Sequence, residues 1–337
     1  MTDTVSKALK LMEGRRVLIV GDVMLDSYLY GETVRVSREA PVIVVRKDSV
    51  EHRLGGAANT AANLAALGVD TEIIGMVGRD EGGARLRTML SDQGVDTAGL
   101  VEVSVTTPVK TRVMAGAVGT SRQQVLRIDD EPNGLPAEAA VRSVVDSLKS
   151  RAAFADAIIL SDYGVGTVGS EVIAVARELV KEGHIVCVDS RHRLHLFNGM
   201  TVVTPNVPEA EEQVGSGINS ESEALAAGAM LLKKLECQAC LLTQGRGGMS
   251  LFQAGESPSH VDIIGGDEVT DVTGAGDTVI ATFCAALAAG LGMENAMRLS
   301  NCAAGIVVGK AGAAVATPTE INDAASRVEL ELISWEA

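Results

Sequence analysis

At 337 residues, 46% of them hydrophobic, the chain is long enough for one large α/β domain or two small ones with a substantial core. Aromatic residues make up only 2%, so that core must be built from Val, Ile, Leu and Ala. A net charge of −15 argues against nucleic acid or an anionic membrane as partner, since both need basic surface.

Read from the N-terminus, residues 16–22 (RVLIVGD) form a buried-strand pattern. The apolar part, 17–20, is too short for a secretory h-region and abuts Arg15-Arg16. A small-residue helix follows at 55–68, then a strand at 71–78 and a helix at 81–94. The rhythm resumes with a strand at 157–162, a helix at 170–183, strands at 185–190 and 201–206, a helix at 222–236 and a strand at 239–245. An apolar helix spans 278–291. Short Val/Ile-rich strands separated by helices predict a mostly parallel sheet covered on both faces. Two stretches break the rhythm, 30–53 and 106–129, which alternate polar and apolar residues as strands with one wet face do. They predict a small β-sheet lid inserted into a single domain spanning 1–337, without a linker.

The longest nearly apolar run, 281–293, falls short of the ~20 residues a membrane span needs. Cys187, Cys237, Cys240, Cys284 and Cys302 lie in or beside apolar segments, which reads as reduced thiols in a cytoplasmic protein. Cys237 and Cys240 form a CxxC, but no second pair follows, so packing is the better reading. His192 and His195 have helical spacing without a third ligand.

Two glycine motifs compete for a nucleotide. GVGTVG (164–169) is a literal G-x-G-x-x-G after a strand, and Asp189 stands twenty residues beyond it, which fits an NAD(P)-linked oxidoreductase. Against it, Asp162 would put a carboxylate near the pyrophosphate, and the motif leaves the preceding α/β structure unexplained. There is no G-x-x-x-x-G-K-[ST], G-x-S-x-G or H-E-x-x-H in the chain. The second motif, DVTGAGDT (271–278), runs into a helix whose first N–H groups should attract an anion. Asp277, itself an anion, sits in that turn, either as a helix-start residue or because a carboxylate does chemistry beside a phosphate.

DVTGAGD together with GGAAN (55–59) and the N-x-x-E of TPNVPE (204–209) resembles the PfkB, or ribokinase-like, carbohydrate kinase family over about residues 15–318. The resemblance implies an ATP- and Mg²⁺-dependent sugar kinase with a ribokinase-like three-layer α/β fold and a β-lid. Gly274, Ala275 and Gly276 would hold charge developing on the transferred phosphoryl group, and Asp277 would be the base. Asn206 and Glu209 would act on Mg²⁺ through water, although a helix cap explains them too. Asp26, Gly55, Gly56 and Asn59 are the implied sugar contacts, with Asp22 a further candidate. Thr243 and Gly245 would meet the nucleotide. Asn301, in the stretch 301–312, would help wall the adenine, and that stretch could carry a K⁺ loop.

Within the family, VGDVMLDSYLYG, VSREAPVIVV, LRID and LSDYG resemble the heptose 7-phosphate kinases of ADP-heptose synthesis, which are followed by a nucleotidyltransferase domain. The chain's end at Ala337 predicts a kinase alone. Val165 replaces that subfamily's usual Lys, and DSR (189–191) replaces its DPK, with Arg191 a substitute charge near the nucleotide phosphates. Lys110 and Arg112, on one face of a lid strand, could hold a distal sugar phosphate. The lid's exposed edge makes a homodimer plausible.

Overall fold

The computed structural model describes residues 2–117, 120–132, 134, 136–264, 270–328, 330 and 332. Positions 118 and 119 of the second predicted lid stretch, and the C-terminal Ala337, lie outside the described residues. Thirteen strands are described: β1 (Arg16–Gly21), β2 (Val23–Val36), β3 (Ile43–Gly56), β4 (Asp70–Gly78), β5 (Asp96–Val103), β6 (Val109–Gly116), β7 (Gln123–Asp130), β8 (Ala157–Asp162), β9 (Ile185–Ser190), β10 (Val202–Val203), β11 (Ala239–Thr243), β12 (Met249–Gln253) and β13 (Ser259–Val261). The helices are α1 (Thr2–Met12), α2 (Ala57–Ala66), α3 (Glu81–Asp92), α4 (Glu138–Ala152), α5 (Ser170–Lys181), α6 (Val207–Val214), α7 (Glu221–Leu235), α8 (Ala275–Ala288), α9 (Met293–Val307) and α10 (Pro318–Arg327).

Nine strands form one sheet in the order β13-β12-β11-β10-β9-β8-β1-β4-β5. It is parallel from β5 to β11, and β12 and β13 add an antiparallel edge. Both faces are covered, which is why the central strands read as unbroken apolar runs. Val17, Ile19, Ile73 and Ile159 pack with α2, α8 and α9 on one side. Leu18, Val20, Ile158 and Leu160 pack with α4, α5 and α7 on the other. The chain order reverses at β1, between β8 and β4, and a crevice opens where connections leave such a point in opposite directions.

The lid is a separate four-stranded sheet, β3-β2-β6-β7, made by the two insertions. Its strands reach further inward than the alternation suggested, starting at Val23 and closing at Gly56, because their inner ends are as buried as the core. The predicted 55–68 helix therefore loses both glycines to β3 and begins at Ala57. The expected strand 201–206 shrinks to two residues. Pro205 lacks an N–H, and only an isolated bridge joins Asn206 to Thr243 beyond it.

Candidate active site

The ends of β8, β9 and β11, the N-terminus of α8 and the inner face of the lid enclose a cleft of about 970 Å³. At its floor α8 begins. Gly274 is the N-cap, with φ +81, and a Cβ there would stand 2.5 Å from the Asn59 amide nitrogen, so only glycine fits. The first helical bond, from the Thr278 N–H to the Gly274 carbonyl, leaves the preceding N–H groups facing the cleft end of the helix. Of these, Ala275 N–H already makes a long 3.3 Å contact to the Val272 carbonyl.

Asp277 does not cap its helix. Its carboxylate turns away from the N-cap and is held from three directions. Asn59 Nδ2 donates to Oδ2 at 2.8 Å, Thr60 Oγ1 to Oδ1 at 3.1 Å, and the Tyr163 hydroxyl to Oδ1 at 3.0 Å. Burial pushes the carboxyl up to about 6, against the pull of those three donors. Asp277 lines the cleft while being 4% exposed. A carboxylate so placed is ionised at neutral pH and close to the pKa that suits a general base there.

Asp189, also on the cleft wall, is driven well above the usual carboxylate range by burial and then by the Glu209 and Asp277 carboxylates. Glu209 is raised too, chiefly by burial. This crowding of negative charge is the environment a hydrated divalent cation relieves, so the residues fit Mg²⁺. Asn206 and Glu209 would hold it through water, where it would neutralise phosphate charge. Among the described residues no three His, Cys, Asp or Glu side chains could ligate an ion directly. Asn206 and Glu209 also form a full capping box at the start of α6, with reciprocal bonds of 3.0 Å each, so the cap explanation holds beside the cleft position.

The cleft brings together Asp26, Gly56, Lys110, Arg112, Arg191, Asn206, Glu209, Thr243, Gly245, residues 274–277 and Asn301. Asn301 is anchored by a bond from Nδ2 to the Asp262 carbonyl. Three expected sugar contacts lie elsewhere. Asn59 is not among the cleft-lining residues, and its amide nitrogen donates to the Asp277 carboxylate. Gly55 lies beneath Asp26, where a Cβ would meet Oδ2 at 2.8 Å, so it makes room for Asp26. Asp22 is buried outside the cleft, and its carboxylate accepts from the N–H groups of Tyr163, Val165 and Thr167 at 2.9, 3.0 and 2.9 Å.

Those bonds also count against the dinucleotide reading. Within GVGTVG the Val165 and Thr167 N–H groups that would face a pyrophosphate already serve Asp22, and the Gly164 N–H bonds Asp162. Asp162 in turn is gripped by Arg193 and by the Ser190 hydroxyl. The loop is tied down by these bonds, and its cleft-lining residue is Tyr163.

The expected clamp of Lys110 and Arg112 is divided. Arg112 is paired with Asp26 and lies 5.3 Å from the Tyr28 ring centre. Lys110 instead stands 5.4 Å from the Tyr163 ring centre, and Arg191 stands 5.8 Å from the same ring. Burial, then the Arg191 charge, lowers the Lys110 pKa. Sequence reasoning missed Tyr163, Thr60 and Asp189 as site residues. Tyr163 carried a signal, being one of three tyrosines and directly beyond a buried strand.

Fold and site define an open-sheet α/β phosphotransferase with a β-lid. The chain belongs to the pfkB family of carbohydrate kinases, whose sequence model matches residues 15–320. Curated relatives include the bifunctional protein HldE of Citrifermentans bemidjiense, 42% identical over 91% of this chain and 62% of that protein. The HldE of Geobacter sulfurreducens is 41% identical over 90% and 61%. The chain thus spans less than two thirds of the length of these relatives. Among solved structures, phosphofructokinase-2 from Escherichia coli in complex with potassium superposes with a TM-score of 0.79 at 18% identity, covering 94% of this chain and all of that one. Ribokinase from Arabidopsis thaliana, complexed with ribose and ATP, gives 0.72 at 21% identity, covering 93% and 98%. At such identities these two speak for the fold. No helix among the described residues is long and apolar enough to cross a membrane.

Proposed function

We propose that this sugar kinase transfers the γ-phosphoryl group of ATP, with Mg²⁺, to the C1 hydroxyl of D-glycero-β-D-manno-heptose 7-phosphate. The observation that carries the sugar-phosphate part is the free cation pair at Tyr163. Neither Lys110 nor Arg191 joins any ion pair formed among the described residues, which instead tie Arg112 to Asp26 and Arg193 to Asp162. In a chain of net charge −15, two such cations beside one cleft-lining ring suit a substrate that brings phosphate. The identity with HldE proteins supports a heptose phosphate in particular.

In the reaction, the sugar oxygen attacks the γ-phosphorus as the bond to the β,γ-bridging oxygen breaks. ADP leaves with that electron pair, and the sugar proton passes to Asp277. Aliphatic residues such as Ile218, Ile263 and Val308 line the cleft where aromatic side chains are wanting, and they suit an adenine face. A K⁺ requirement gains little support, since Arg53 already donates to the Ala311 and Ala313 carbonyls of the 301–312 stretch and its continuation. Dimerisation through the lid is supported by Val36, Ile43, Leu126 and Ile128, all exposed on lid strands. The deciding experiment is ADP release from ATP across a panel of sugars and sugar phosphates. Turnover of the heptose 7-phosphate far above that of free sugars is expected. Equal use of free sugars would replace the proposal with a ribokinase- or fructokinase-like activity.

A further inference from the structure

The donors around Asp277 are unevenly shared between its two oxygens. Oδ1 accepts from both the Thr60 and the Tyr163 hydroxyls, which fills its two lone-pair directions. Oδ2 accepts from Asn59 alone and keeps one direction open. Asn59 and Thr60 belong to α2, inside the domain core, whereas Tyr163 comes from the loop after β8 and lines the cleft. That loop is fixed by the three bonds to Asp22, so the tyrosine hydroxyl is delivered by a support that does not itself enter the cleft.

We propose that Tyr163 is a positioning residue for phosphoryl transfer, closing Oδ1 of Asp277 so that Oδ2 alone receives the sugar proton. The proposal rests on the kinase reading above. Its chemistry balances within that reaction. The sugar O–H breaks, its proton goes to Oδ2, the oxygen bonds to the γ-phosphorus, and ADP departs with the bridging oxygen's electrons. Tyr163 keeps its own proton throughout, because burial and the Asp277 and Asp189 charges hold the phenol well above its usual pKa.

Removing the hydroxyl has a directional consequence. A donor to a carboxylate favours its ionised form, so losing one raises the pKa of the base. The other groups facing Asp277 are Asp26 from the lid and Asp189 from the end of β9, both of which disfavour its charge, and Lys110 and Arg191 beyond the tyrosine ring. Tyr163→Phe leaves the ring and these charges in place.

The test is the pH profile of kcat/KM for wild type and Tyr163→Phe, with heat stability measured in parallel. Wild type should lose activity below about pH 6. In Tyr163→Phe that limb should move to higher pH. Activity at pH 7 should fall roughly tenfold or more, as for one lost hydrogen bond to a charged group, with much of it regained at higher pH and KM for ATP unchanged. Fluorotyrosine at position 163 keeps the shape but donates more strongly, and it should move the limb the other way. Superimposable profiles for all three proteins, or a loss equal at every pH, would overturn the proposal, leaving Tyr163 as packing. Asp277→Asn separates this from failure of the kinase reading. If that variant is inactive while the Tyr163 profiles coincide, only the tyrosine inference falls; if it stays active, Asp277 is not the base.

Discussion

Replacing Asp277 with Asn should do two opposite things, each with a size set by the structure. The carboxyl titrates near 6 in the fold against 3.8 in the open chain. At about 1.4 kcal/mol per pH unit, keeping it ionised above pH 6 costs the folded protein about 3 kcal/mol. An amide removes that penalty. Its oxygen can take the place of Oδ1 and keep the Thr60 and Tyr163 bonds, but its NH₂ must then face the Asn59 amide, a donor–donor mismatch costing about 1–2 kcal/mol. The net is a stabilisation of about 1–2 kcal/mol, or a Tm rise of roughly 2–6 °C. The sign depends on pH. A carboxyl whose folded pKa is raised contributes stability that is complete below about pH 4 and is lost as pH rises through 6. The variant's advantage should therefore be full at pH 8 and absent at pH 4. Turnover should fall ~10²–10⁴-fold. Calorimetry at both pH values with an ADP-release assay decides the matter. A Tm that drops at pH 8, a gain undiminished at pH 4, or turnover above about a tenth of wild type would refute the assignment of a strained, buried base.

Three further outcomes follow from the same geometry. Asp22→Ala orphans three backbone N–H groups and should lower unfolding free energy by about 2–4 kcal/mol; a loss below about 1 kcal/mol in a denaturant titration would mean that the loop does not depend on it. Lys110→Ala should raise KM for a sugar phosphate about ten- to a hundredfold and leave a free sugar's KM alone, whereas Arg112→Ala, by stranding the Asp26 carboxylate, should impair both kinds of substrate alike. ATP with Mg²⁺ should raise Tm by mass action, and NAD(H) or NADP(H) should not; stabilisation by a nicotinamide cofactor would reopen the GVGTVG reading.

Much of the fold was legible because its signals are local. Apolar runs at 16–22, 157–162 and 185–190 could only be strands covered on both faces, and polar alternation at 30–53 could only be a sheet with one wet side. Where the reading shortened or failed, tertiary context decided. The inner halves of β2 and β3 look like core because they are core, so the alternation began late. Helix α4 and strand β5 lie where no distinctive pattern marked them, and they take their form from packing on β4 and β1. In the site, Asp277, Asn206 and Glu209 could be found from motif spacing. Asn59 was placed on the correct helix, but its bond to Asp277 was not foreseen, since no sequence shows that its amide reaches a residue 218 positions away.

The charges of the cleft explain why its parts came apart in this way. An acidic chain that must bind anions needs cations held free of the carboxylates around them. Arg112 and Arg193 are not free, because each is tied to an aspartate and serves the architecture. Among the described residues Lys110 and Arg191 join no ion pair, and both lie near Tyr163, a polar but uncharged side chain whose ring face attracts cations without neutralising them. The same tyrosine turns its hydroxyl towards Asp277. One residue thus meets the base through its hydroxyl and the cations through its ring, while burial, against that hydroxyl's pull, holds the base near 6. At position 165 the side chain lines a separate pocket with Asp22 and Val23 and not the cleft, so Val in place of Lys there takes no charge from beside the tyrosine.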